Sequence, residues 1–169
     1  MEAAEQKQTI VSLYVCLIAC TILSCVPNMT CALFSLILFF SVLIAAYWYK
    51  FRDSEDGLLY NHMVYLIGTI WIGSSFLAIG IIVAAAMVYE KGDHSIIMQV
   101  ANNLMDVVMM SEAQLYQMAL NYISANRDIL LSTALVTIGP AVLYLVYRIA
   151  NGLSRGMKGY RIANPRTWL

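Results

Sequence analysis

Apolar residues run almost unbroken through Thr9–Val26, Cys31–Tyr49, Tyr60–Tyr89 and Ile129–Ile149, and polar residues gather between those runs. A helix apolar all round belongs in lipid, and each run reaches across about 30 Å of hydrocarbon at roughly 1.5 Å per residue. The pattern predicts four spanning helices, at about 9–26, 31–49, 60–89 and 129–149, the third long enough to tilt or to project beyond the bilayer. Only "VPNMT" separates the first two, where Pro27 and Asn28 supply turn chemistry for a tight helical hairpin. The second connection, "KFRDSEDGLL", is short and polar.

Residues 90–128 follow another rule. Ile97, Ala101, Leu104, Val108, Leu115, Met118 and Tyr122 recur at three- or four-residue steps, with a wider gap across Ser111 and Glu112. Asn102, Asn103, Asp106, Gln114, Gln117 and Asn121 take other positions. This predicts one or two amphipathic helices, with Asp93 or Ser95 as an N-cap. Carrying Asp106 to the bilayer centre costs roughly 2.5–3.5 kcal/mol, so the segment is expected to lie on the outer face rather than cross. Its five Met residues make an adaptable surface for lipid or another subunit. The expected fold is all-α: residues 1–169 form one transmembrane domain, an integral four-helix bundle with an extra amphipathic segment between helices 3 and 4 and a tail at 150–169.

Composition agrees. The chain is 61% hydrophobic and only 12% charged, against roughly a quarter charged in soluble domains. Its zero formal charge decides little, because the side on which charges fall matters more. With the N-terminus cytoplasmic, four spans place Lys7, Lys50, Arg52, Arg148, Arg155, Lys158, Arg161 and Arg166 inside and Lys91 and Arg127 outside. That asymmetry predicts both termini in the cytoplasm. The first helix is expected to be retained, because "MEAAEQKQ" carries two acids and no convincing cleavage site follows. In the tail, Arg155, Lys158, Arg161 and Arg166 are expected to sit on anionic headgroups, each contributing about 1 kcal/mol. Trp168 would lie at the interface beside them.

Candidate chemistry is sparse. His62 and His94 fall on opposite sides in this topology and cannot share a metal. His62 reads as an interfacial hydrogen-bonding residue, with proton handling as the alternative. Asp106 is the only acid among strongly apolar neighbours. Cys16 and Cys20 share a helix face, and Cys25 and Cys31 flank the outer turn, where an oxidising compartment permits a disulfide. Gly73, Gly80 and Ala84 lie on nearly one face and suit close helix packing against an unspecified helix. No span is expected to carry a buried charge, and Gly139–Pro140 is expected as a lone kink. With no phosphate loop, nucleophile elbow or carboxylate pair, no enzyme, cofactor, metal or nucleic-acid partner is expected. The expected role is a non-catalytic accessory or scaffold subunit. Its contacts would be membrane lipids and other membrane subunits, met through Ile97, Leu104, Asp106, Val108, Leu115 and Met118. A small pore or translocation component is one alternative, and a membrane enzyme or proton-handling protein built on His62 and Asp106 is another.

The C-terminal "RGMKGYRIANPRTWL", the His-containing "YNHMVYLIGTIWIGSSF" with Trp71 nine residues on, and "AAYWYKFRDSEDG" after the first hairpin together carry a likeness. The chain resembles a family of small four-helix bacterial inner-membrane proteins of unknown function, distantly grouped with chloroplast inner-envelope import components. The resemblance implies a multi-pass protein of the bacterial cytoplasmic membrane. Residues 90–128 depart from that family, whose third and fourth helices are joined briefly.

Overall fold

The computed structural model describes residues 3–26, 28–102 and 110–167. These are helical with no strand: α1 (Ala3–Ser24), α2 (Met29–Arg52), α3 (Leu58–Lys91), α4 (Ser95–Asn102), α5 (Glu112–Ala125), α6 (Arg127–Thr137) and α7 (Gly139–Lys158). Three of them, α1 to α3, are long and apolar enough to cross a membrane; α6 and α7 qualify only as a pair bent by 45°. The chain divides into two compact units, Met1–Ser75 with Leu143–Leu169, and Phe76–Val142.

The first unit is built on the α1–α2 hairpin. Asn28 opens α2, its side-chain oxygen accepting from Thr30 N–H at 2.9 Å and Cys31 N–H at 3.2 Å, which satisfies two of the donors a helix start leaves free. Within the hairpin, Ser35 donates to the Cys20 carbonyl at 2.9 Å. Ile10, Leu13, Tyr14 and Leu17, spaced for one helix face, pack in a core with Val42 and Ala46 of α2, Leu59, Met63 and Leu66 of α3, and Ile149 of α7. Elsewhere α2 leaves Phe34, Ile37, Ile44 and Trp48 exposed, as a helix facing lipid would. Asp53 ends α2 through its own N–H to the Tyr49 carbonyl, and its carboxylate accepts from Tyr60 N–H at 3.0 Å at the start of α3. That carboxylate fills the space where Gly57 would carry a Cβ, so a side chain there would displace it from Tyr60 N–H.

The second unit holds the far half of α3 with α4, α5 and α6. Its corner is Asn126, which is buried; it accepts from Asp93 N–H at 2.6 Å and donates to the Asp93 carbonyl at 3.0 Å. Ser111 and Gln114 form a reciprocal capping box at the start of α5. The run expected as one span over 129–149 is divided at Ile138. Pro140 has no N–H to give, and its ring would collide with the Val136 carbonyl of a continuous helix. Placed second in α7, where a donor is not needed, it is tolerated. Within the segment expected as amphipathic over 90–128 lie α4 and α5, and residues 103–109 between them lie outside the described residues.

Candidate functional site

The chain after α7 turns back on the first unit. Gly159, at φ 72°, reverses it: Tyr160 N–H donates to the Arg155 carbonyl at 2.9 Å and Gly159 N–H to the Gly156 carbonyl at 3.0 Å. This is the Schellman pattern, and its positive φ favours glycine. The returning segment then binds the first turns of α3. Asn61 donates to the Ile162 carbonyl at 3.0 Å and accepts from Ile162 N–H at 2.7 Å, while Ile162 itself joins the core. Beside it, His62 Nε2 donates to the Tyr160 carbonyl at 3.0 Å, because a carbonyl can only accept.

Arg148 anchors the far end of this strap. It is fully buried, which corrects the expectation that no span carries a buried charge. Its Nε donates to Thr69 Oγ1 at 2.9 Å, and its Nη1 to the Thr167 carbonyl at 2.6 Å and to Tyr144 at 3.3 Å. The guanidinium also lies 4.0 Å from the centre of the Tyr65 ring. Burying a charge is costly unless its donors are satisfied, and hydrogen bonds to a charged group contribute about 1.5–3 kcal/mol each. The tail bonded to Arg148 is therefore part of what permits a charge to be buried here.

Next to the strap, two polar atoms have no partner: Tyr14 Oη and His62 Nδ1, on residues that are both fully buried. The rings meet edge to face with centroids 6.1 Å apart. With Nε2 holding the proton, neutral His62 presents a bare lone pair at Nδ1, and Tyr14 presents a hydroxyl donor. Both face α7 where it lacks side chains. A Cβ on Gly152 would strike the Tyr14 hydroxyl, and one on Gly156 would stand 3.9 Å from His62 Nδ1. Arg148, Gly152 and Gly156 recur every four residues, so one face of α7 serves both the clamp and the Tyr14–His62 pair.

The residues singled out from sequence are dispersed. Arg155 is half-buried, donating to Asn151 at 3.3 Å and to the Arg161 carbonyl at 3.1 Å, so it braces the strap. Lys158, Arg161 and Arg166 are exposed. Ile97 and Leu115 are exposed and Met118 is half-buried. Leu104, Asp106, Val108 and Trp168 lie outside the described residues. Gly73 is buried against Leu145 of α7 and Gly80 against the Thr137 backbone of α6, which identifies the helices they approach; Ala84 is half-buried. All four cysteines are free. At the start of α4, His94 stands at the cap position, its carbonyl accepting from Met98 N–H, while Asp93, one residue before it, accepts from Ser95 N–H at 2.9 Å, a bond that holds its carboxyl below the usual carboxylate range. His94 donates to the Tyr89 carbonyl at 2.8 Å and stacks on Tyr122.

Sequence reasoning passed over Tyr14, Thr69, Arg148, Gly152 and Gly156. A signal existed in the four-residue spacing of Arg148, Gly152 and Gly156, but Arg148 stands at the end of its apolar run and was counted as a cytoplasmic charge. No family model, curated protein or solved structure matches the chain.

Proposed function

We propose that this protein is a four-span integral bundle of the bacterial cytoplasmic membrane, with both termini inside, serving as a non-catalytic accessory or scaffold subunit of a larger membrane complex. The likeness to small four-helix inner-membrane proteins belongs to the same reading. The observation that carries it is α5, which is closed by its own capping box and buries none of its side chains, leaving Leu115, Tyr116, Leu120 and Ile123 exposed. Isolated helices of this length are marginal in water. Tertiary contact must hold such a helix, and a neighbouring helical subunit offers an apolar face and partners for Gln114 and Asn121. Photo-crosslinkers at Leu115 and Leu120 test this during purification in mild detergent. Capture of one stoichiometric membrane protein is expected, and crosslinks to lipid alone would remove the scaffold role. Reporter fusions at 57, 95 and 169 should read inside, outside and inside.

A second reading, proton handling, is favoured by the unpartnered Tyr14 hydroxyl and His62 Nδ1. Tyr14→Phe and His62→Gln would then abolish pH-driven flux in liposomes while leaving the fold intact. Unchanged flux, or none in the parent protein, would dispose of it.

A further inference from the structure

A groove of about 640 Å³ lies between the strap and the start of α3, within the range of roughly 300–1,000 Å³ usual for small-ligand sites. Glu55 and Asp56, from the α2–α3 connection, line it, as do Arg161 and Arg166 of the strap. Tyr60 and Val64 of α3 supply apolar wall. Two acids and two arginines thus share one groove, yet none of the four carboxylates and guanidiniums is ion-paired among the described residues. Opposite charges lining one groove without pairing suit a ligand that carries both signs.

We infer that this groove binds a zwitterionic phosphate ester bearing a primary ammonium, the chemistry of a phosphoethanolamine headgroup. The phosphate takes the guanidiniums of Arg161 and Arg166, whose planar forks suit phosphate oxygens. The ammonium goes to Glu55 and Asp56, which accept its three N–H donors; a quaternary ammonium offers none. Tyr60 and Val64 lie where the ester joins its apolar part. The strap has a consequence here: by binding Asn61, His62 and Arg148 it keeps Arg161 and Arg166 on the groove that the acids also line, so tail and groove form together. This rests on the membrane reading above, which places the groove at the cytoplasmic headgroup level.

The test uses the full-length protein in nanodiscs and in detergent. Phosphatidylethanolamine, phosphatidylcholine and phosphatidylglycerol are offered in equal amounts, and retained lipid is counted by native mass spectrometry. Retention of phosphatidylethanolamine about tenfold over the other two is expected, from loss of one or two charge-assisted contacts in each competitor. E55Q/D56N should erase the preference for phosphatidylethanolamine over phosphatidylglycerol, and R161Q/R166Q should lower retention of both. Free O-phosphoethanolamine distinguishes the source: displacement of lipid at millimolar concentration points to a soluble ligand of the same chemistry, and its failure points to the lipid. Equal retention of the three lipids, or a preference that survives both double variants, overturns the inference. Topology reporters run on the same variants separate the failures. An unselective groove in a protein with both termini inside leaves the membrane reading intact, whereas an outward C-terminus removes the premise.

Discussion

Asn61 and Ile162, 101 positions apart, exchange two hydrogen bonds, the Ile162 N–H to Asn61 at 2.7 Å and the Asn61 amide to the Ile162 carbonyl at 3.0 Å. An amide side chain offers one donor and one acceptor at the spacing of a peptide group, so Asn61 pairs with the strap as a strand neighbour would. Both residues are buried, so losing one partner leaves the other's polar groups poorly satisfied.

Asn61→Ala should therefore destabilise the folded protein by about 2–6 kcal/mol, counting roughly 1–3 kcal/mol for each of the two orphaned backbone groups. Thermal unfolding in detergent measures the loss. A cysteine at Ala163 should become more reactive in the same variant, and unchanged reactivity would mean that the strap is held without this pair.

Arg148→Met and Arg148→Lys should both lower stability, by about 3 kcal/mol or more for Met, since Thr69 and the Thr167 carbonyl lose a charged donor. Lysine keeps the charge but not the fork that reaches both groups at once, nor the flat face lying on Tyr65. A lysine variant as stable as the parent would show that charge alone suffices.

The two packing glycines of α3 should differ. A Cβ on Gly80 would stand 2.6 Å from the Thr137 carbonyl oxygen, where only backbone movement gives relief. Gly80→Ala should cost about 1–3 kcal/mol, as overpacking generally does. On Gly73 the obstacle is the Leu145 side chain, which can change rotamer, so Gly73→Ala should cost less. Gly139→Ala meets nothing within 4 Å and serves as the neutral control. Chemical denaturation of the three variants checks the order.

Asp93 gives the start of α4 a pH dependence of definite sign. Its folded pKa is depressed by the Ser95 bond, so the stabilisation is present above the unfolded value and is lost as pH falls through the folded one. Hydrogen exchange at the first turn of α4 should accelerate, relative to intrinsic rates, as pH falls below about 4. Asp93→Asn should remove that low-pH step.

The three long helices α1 to α3 were legible in the chain because an apolar run long enough to cross lipid must satisfy every backbone group within its own segment, and so declares a helix without reference to anything distant. Asn28 was legible as turn chemistry but not as the cap of α2 that it is, and spacing alone predicted helix within 90–128, where α4 and α5 lie. The break at Ile138 was half legible; Pro140 announced an interruption, but whether neighbours absorb it as a kink or a 45° bend depends on what the two helix ends pack against. The strap was not legible. "YRIANPRTWL" reads locally as a cationic end for headgroups, and nothing within it says that Ile162 belongs to the core or that Thr167 carries a carbonyl for Arg148. Those facts depend on which residues lie a hundred positions away, at the start of α3. Arg148 illustrates the limit most sharply: a charge near the end of an apolar run is cheap if it reaches water and costly if it does not. Only the tertiary arrangement, by bringing Thr69, the Tyr65 ring and the returning chain around it, decided that it stays inside.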